Sequence, residues 1–122
     1  MTEVRSEMCG DEKFWIVTHT RADDGAIALP LFTDDGEKYV PDANDVFELN
    51  VRKTFKTTND DPTLVFAGSV SVDAEGIPIW SISKTDSAIN ADRYAWTFQI
   101  TRDADGKTTT AHKGYLDITG ET

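Results

Sequence analysis

Cysteine, histidine and long apolar runs are scarce in this sequence of 122 residues. There is one cysteine, Cys9, which excludes an intrachain disulfide bond and a metal site built from several cysteines. No run approaches the roughly 18 apolar residues of a membrane-spanning helix, and residues 1–13 lack the apolar segment of a secretory signal. We therefore expect neither a signal peptide nor a membrane-embedded protein.

Basic side chains are also few, since 12 lysines and arginines stand against 22 aspartates and glutamates, a formal net charge of -10. Binding to phosphate groups needs clustered Lys and Arg, so this balance argues against nucleic acid and anionic membrane surfaces as partners. The hydrophobic content of 39% is enough for a core, and the length suits one domain. We predict a flexible N-terminal tail over residues 1–12 and a single domain over residues 13–122.

Apolar and polar residues alternate along much of the chain, which is typical of β-strands with one buried face. The clearest cases are residues 92–102 and residues 46–53. In each segment the apolar side chains share one face and polar side chains occupy the other. We predict that these apolar residues form the core: Tyr94, Trp96, Phe98, Ile100, Phe47, Leu49 and Val51.

Five further segments have strand character, which gives at least seven strands. They are residues 14–20, 26–33, 64–72, 77–83 and 107–119. Turns are expected between them, because glycine adopts a positive φ at little cost and aspartate caps a turn. The turn signals are Asp34-Asp35-Gly36, Asp73-Ala74-Glu75-Gly76 and Asp103-Ala104-Asp105-Gly106, with a longer connection at Asn59-Asp60-Asp61-Pro62.

One segment departs from the β pattern: residues 84–89, where Thr85 is an N-cap candidate, predict a single helical turn. Tyr94 follows near the start of the strongest strand. Immunoglobulin-type sandwiches have a tyrosine at this corner, whose hydroxyl bonds back to the main chain. We predict an all-β fold, specifically an immunoglobulin-like Greek-key β-sandwich of about seven strands with one short helical turn.

Catalytic and metal-binding patterns are weak. His19 and His112 are the groups that titrate near neutral pH, and a two-histidine metal site remains open if the first and last strands approach each other. We favour a surface or strand-edge position for both, because neither has a histidine or cysteine at ligand spacing. Asp103-x-Asp105-Gly106 has the opening of a calcium loop, but its later ligands are missing, so we favour a hairpin turn. We predict no catalytic residue, cofactor or metal, and hence no enzyme.

Two tryptophans are open to two interpretations. Trp80 lies in a segment with apolar residues on both faces, so it either packs in the core or is exposed and contacts a sugar or a protein partner. Trp15 is equally ambiguous, and its position near the N-terminus leaves an interface open to it. We name Trp80 and Trp15 as candidate contact residues.

The order of these features resembles a family of small β-sandwich modules in phages of Gram-positive bacteria, typified by the N-terminal domain of the baseplate upper protein. The similarity covers about residues 14–119, with Asp92 where the family usually has glycine. It is carried by residues 27–33 and 46–53 and by Asp35-Gly36-Glu37-Lys38-Tyr39, Thr85-Asp86, Arg93-Tyr94-Ala95-Trp96, Asp105-Gly106-Lys107-Thr108 and Lys113-Gly114-Tyr115.

The resemblance implies a non-enzymatic structural or assembly module of a phage or prophage particle, of the tail or baseplate type. Its partners would be other virion proteins or further copies of itself, and its location the virion, or the bacterial cytoplasm during assembly. The alternative, based on the tryptophans, is a carbohydrate- or cell-surface-binding module.

Overall fold

The alternating segments form strands in the computed structural model, which describes residues 2–10, 12–33, 36–55 and 63–120. All eight elements of regular secondary structure in these residues are strands, so the all-β prediction is confirmed. None of the described residues belongs to a helix with the length and hydropathy of a membrane span. The strands are β1 (Thr2–Cys9), β2 (Glu12–Thr20), β3 (Gly25–Ala28), β4 (Val46–Arg52), β5 (Leu64–Val72), β6 (Pro78–Ile82), β7 (Asp92–Thr101) and β8 (Thr108–Thr119).

The strands are hydrogen-bonded in the order β1-β2-β8-β7-β4-β5-β6-β3. Neighbours are antiparallel except β2 and β8, which run parallel. β1 and β3, at the two ends of this order, come close: the Thr2 hydroxyl lies 2.6 Å from Nδ1 of His19, and Gly25 adjoins both side chains. The sheet is therefore nearly closed, like a barrel.

β5 connects two parts of this sheet. Its first half pairs with β4, where Leu49 is opposite Gly68, and its second half pairs with β6, where Ser69 is opposite Ser81. β5 thus passes from the part that contains β2, β8, β7 and β4 to the part that contains β6 and β3.

The core lies between these two parts. Six of the seven predicted core residues are buried, and the seventh, Phe47, is partly buried and packs against them. Trp96 meets Trp80 from the opposite part, with 5.3 Å between ring centroids. Its indole N–H donates to the Tyr115 carbonyl at 3.2 Å, which satisfies the one polar atom of the ring.

The chain enters β7 through a tied corner. The Tyr94 hydroxyl donates to the Asn90 carbonyl at 2.7 Å, the bond expected from the sequence. The preceding segment contains no helix: Ser87 N–H bonds to the Ser83 carbonyl at 3.0 Å, and the chain then turns away. The helical turn is therefore not confirmed. The side chain that caps this turn is Ser83, which accepts from Asp86 N–H at 3.0 Å, and not Thr85.

The N-terminal segment differs from the expected tail. Residues 2–9 form β1, which pairs with β2 along its whole length, from Thr2 opposite His19 to Cys9 opposite Glu12. The segment has little apolar character, so no local pattern marks it as a strand. Main-chain hydrogen bonds to β2 supply most of what orders it.

Two predicted hairpin turns are present. Gly76 and Gly106 have φ of +80° and +68°, and the Asp73 and Asp105 carboxylates accept from the main chain of their turns at 2.9 Å. Asp105 thus has the capping role of a plain turn. Asp34, Asp35 and residues 56–62, where another turn and a longer connection were predicted, lie outside the described residues.

Gly114 of β8 permits a close main-chain approach to Trp15 of β2. A Cβ at this position would lie 1.7 Å from the Trp15 carbonyl oxygen. We expect Gly114→Ala to lower the free energy of unfolding by at least about 2 kcal/mol, because one of two paired backbones has to move. Gly120→Ala, where a Cβ meets no atom within 4 Å, is the matched control. Equal denaturation midpoints for the two variants would contradict this close approach.

Candidate functional site

The two histidines have separate structural roles. His19 is 0% exposed, and its Nε2–H donates to the Asp23 carbonyl at 2.8 Å, so the predicted surface or edge position is wrong. Its burial follows from β1, because Thr2 covers the other ring nitrogen. His112 is partly buried, and its Nε2–H donates to the Pro30 carbonyl at 2.6 Å.

The histidines are too far apart to share a metal ion. His19 is opposite Ile118 of β8, six positions along that strand from His112, which corresponds to about 20 Å at roughly 3.3 Å per residue. Within residues 2–10, 12–33, 36–55 and 63–120, no group of three or more His, Cys, Asp or Glu side chains could hold a metal ion.

A surface depression lies beside His112, between the first half of β8 and residues 30–32 and 39. It consists of two adjoining cavities of about 290 and 390 Å³, which share Phe32, Thr110, Ala111 and His112. We call it the His112 groove. Phe32 stands in its wall with 57% of its surface exposed. The His112 ring stacks on Phe98 and meets Trp15 edge-on, so the core holds the groove floor in place.

The groove is aromatic and cationic, in contrast to the acidic chain as a whole. Lys13 Nζ lies 4.4 Å from the centre of the Trp15 ring, and Arg102 lies 4.8 Å above the Tyr39 ring. Lys113 lines the same groove and pairs with Glu12 at 2.8 Å. Such a surface suits a ligand or partner with both apolar and acidic groups.

The two candidate tryptophans differ in their accessibility to solvent. Trp15 is partly buried and lines the His112 groove, so part of its ring is accessible. Trp80 is 0% exposed, and no ligand reaches it while the core is closed. Its strand explains why: Trp80 shares a face with buried Pro78 and Ile82, whereas Ser81 faces solvent. Core packing is therefore the interpretation that holds for Trp80.

Asp45, which the sequence did not single out, joins three parts of the chain at one end of the groove. Its carboxylate accepts from the Tyr39 hydroxyl at 2.6 Å, from Asp42 N–H at 2.9 Å and from Asp103 N–H at 2.8 Å. Burial alone favours protonation, but these donors together with Arg102 hold the pKa of Asp45 below its usual value. The hydrogen bond to Asp45 in turn raises the pKa of Tyr39 to about 12.

A second unpredicted cluster covers the outer face of β2, β8 and β7. Phe14 stacks on Tyr115 at 5.9 Å between ring centroids, and Phe55 meets the same ring at 5.3 Å. Arg93 lies over Tyr115 and donates to both oxygens of Asp117, at 2.7 and 2.9 Å. The only sequence signal was a run of aromatic and charged residues on the polar face of these strands.

β1 and β3 are the two end strands of the sheet, and we call the unpaired side of β1, the longer of the two, the open edge. In the described part of the chain β1 pairs with β2 on one side, and most of its residues are exposed. Val4 and Met8 are 46% and 65% exposed, which is high for apolar side chains in a strand. An edge of this kind offers main-chain hydrogen bonds to another strand.

Asp45→Asn should destabilise the protein by roughly 2 kcal/mol at neutral pH, because an amide replaces an acceptor of three hydrogen bonds. The difference should shrink as the pH falls, since a lowered folded-state pKa gives stability that is present above the usual Asp pKa and lost on acidification. Chemical denaturation across pH measures both effects. Asp103→Asn is the control, because Asp103 contributes its main-chain N–H; equal losses in the two variants would contradict the role of the Asp45 carboxylate.

Burial lowers the pKa of His112, whereas the hydrogen bond to Pro30 opposes this shift and Lys13 adds to it. The unfolded chain therefore binds a proton more readily, and stability should fall as the pH drops from about 7.5 to about 5.5. His112→Gln keeps an N–H donor but does not titrate, so its unfolding free energy should fall less over this range. An equal pH dependence in the two proteins would show that His112 does not titrate differently on folding.

Comparison with known proteins gives no match: no protein-family model matches the chain, and no curated protein matches it in sequence. The functional proposals therefore depend on the geometry of this chain and on the order of its sequence features.

Proposed function

We propose that the chain is a non-enzymatic structural or assembly module of a phage or prophage particle, of the tail or baseplate type. The observation that carries the proposal is the open edge of β1, a continuous strand with one paired side among the described residues. A module that works by contact needs an accessible main-chain or side-chain surface, and β1 supplies one. Its partners are other virion proteins or copies of the same chain.

The strand pairing supports the immunoglobulin-like form of this proposal. In that fold, strands C, F and G are neighbours in one sheet, and strands B and E are neighbours in the other. Here β4, β7 and β8 are adjacent, as are β3 and β6. The Tyr94 bond at the corner before β7 is a further feature of such sandwiches. We propose an immunoglobulin-like Greek-key sandwich in which β5 links the two sheets.

The hydrogen bonds of the buried polar side chains support a role without catalysis. A general base needs a lone pair or proton that a substrate can reach. Nε2–H of His19 donates to a main-chain carbonyl and its Nδ1 lies against the Thr2 hydroxyl, while Asp45 accepts three hydrogen bonds. His19 and Asp45 thus serve the fold. The net charge of -10 likewise favours protein partners over nucleic acid or anionic membranes.

The particle assignment is tested in the source organism. We expect the coding sequence to lie among tail or baseplate genes, and the chain to be detected by mass spectrometry in particles purified on a density gradient. Particles that lack the chain, together with a gene far from any tail gene, would overturn the proposal.

The His112 groove favours a second candidate, a carbohydrate- or cell-surface-binding module. Trp15 and Phe32 offer apolar surface, while Lys13, Lys113 and Arg102 offer cationic groups suited to acidic sugars. A glycan array tests it, with Trp15→Ala as the variant. Binding of acidic glycans that this variant loses would favour this candidate; an array on which the wild-type protein binds nothing would reject it.

A further inference from the structure

The side chains of β1 form a pattern that is complementary to itself. Around Ser6, the residues one position away are Arg5 and Glu7, of opposite charge, and those two positions away are the apolar Val4 and Met8. Strand geometry places Val4, Ser6 and Met8 on one face and Arg5 and Glu7 on the other. All of this lies on the open edge of the sheet.

We propose that two copies of the chain associate through their β1 strands, which pair antiparallel about a two-fold axis at Ser6. The inference rests on the proposed assembly function, because it names a second copy of the chain as the partner of that edge. In this register Arg5 of each copy is opposite Glu7 of the other, and Val4 is opposite Met8. Such an interface is isologous: each contact occurs twice, once on either side of the axis.

Both kinds of contact have a physical reason to form. Directly opposed residues of antiparallel strands have Cβ atoms about 5 Å apart, so opposite charges attract and apolar side chains pack. Val4 and Met8 lose exposed apolar surface in the dimer. Arg5 and Glu7 already form a loose ion pair within one chain, at 3.7 Å between Nη2 and Oε1, with 59% of each side chain exposed. In the dimer, Arg5 of each copy pairs instead with Glu7 of the other copy, which gives two ion pairs across the interface.

The pairing of charges favours the register with its axis at Ser6 over registers with the axis at an adjacent residue. An axis at Arg5 places Arg5 opposite its own copy and Glu3 opposite Glu7, and an axis at Glu7 places Glu7 opposite its own copy. Like charges in direct opposition are destabilising. An axis at Val4 pairs Glu3 with Arg5, but it overlaps fewer residues and leaves Met8 without a partner. The Ser6 axis combines charge complementarity with the longer overlap.

A single strand edge buries less surface than a stable dimer interface of about 1,200 Å² or more. Association should therefore be reversible and depend on concentration in the isolated protein, and it should strengthen where a particle holds copies close together.

Sedimentation equilibrium from about 1 µM to about 1 mM tests the proposal with the full chain. The wild type should dimerise. In a dimer of Arg5→Glu, glutamates face each other at both contacts between residues 5 and 7, and in a dimer of Glu7→Arg arginines do. Because like charges repel, each variant alone should dimerise at least roughly tenfold more weakly than the wild type. An equimolar mixture of the two variants restores both opposite-charge pairs and should form a heterodimer with about wild-type affinity.

Lys107→Glu and Glu75→Arg are matched controls, because they make the same charge changes on exposed hairpin turns away from β1. Both should dimerise as the wild type does. Unchanged circular dichroism and unfolding midpoints in the β1 variants show that they fold. The Ser6 register is overturned if the wild type is monomeric at the highest concentration or if the Glu7→Arg variant dimerises normally. Detection of the chain in particles would then still support the assembly role.

Discussion

The parallel pairing of β2 with β8 is the constraint on which the rest of the structure depends. It joins the beginning of the chain to its end, from Trp15 opposite Gly114 to Thr20 opposite Thr119. β8 in turn holds β7, and β2 holds β1, so the position of the open edge follows from this one ladder. Gly114 makes the approach possible, since a side chain there would occupy the space of the Trp15 carbonyl.

Polar groups fix the loops once the ladder has formed. His19 ties the loop after β2 to the start of β1, and Asp45 ties the segments before β4 to the β7–β8 hairpin. In both cases main-chain groups and a side-chain hydroxyl pair with the buried polar atoms, which avoids the cost of an unpaired polar atom in the core. Their hydrogen-bond partners account for the burial of both side chains.

Strands and core residues that follow from alternating apolar and polar side chains could be predicted from the sequence. Strand pairing and hydrogen bonds between distant residues mostly could not. The strand that contains Trp96 could be predicted because the side chains on each of its faces share one environment. The burial of Trp80 was also accessible in principle, since Ser81 marks the solvent face of its strand. By contrast, β1 has only two apolar residues on one face, Val4 and Met8, which is too weak a pattern to mark it as a strand without its pairing with β2. The burial of His19 depends on β1, and the role of Asp45 depends on the Asp103 main chain far along the sequence, so neither could be seen locally.

The parallel ladder also has a consequence for the order of folding. Its two strands are separated by most of the chain, whereas β7 and β8 form a hairpin and β1 and β2 form another. Contacts between distant residues carry a larger loop-closure entropy, so such a sheet closes slowly and its local hairpins form early. The β1–β2 hairpin joins the rest of the sheet through the β2–β8 ladder. Detachment of this hairpin would leave the β8 edge without a partner, which is the kind of site where domain exchange between copies begins.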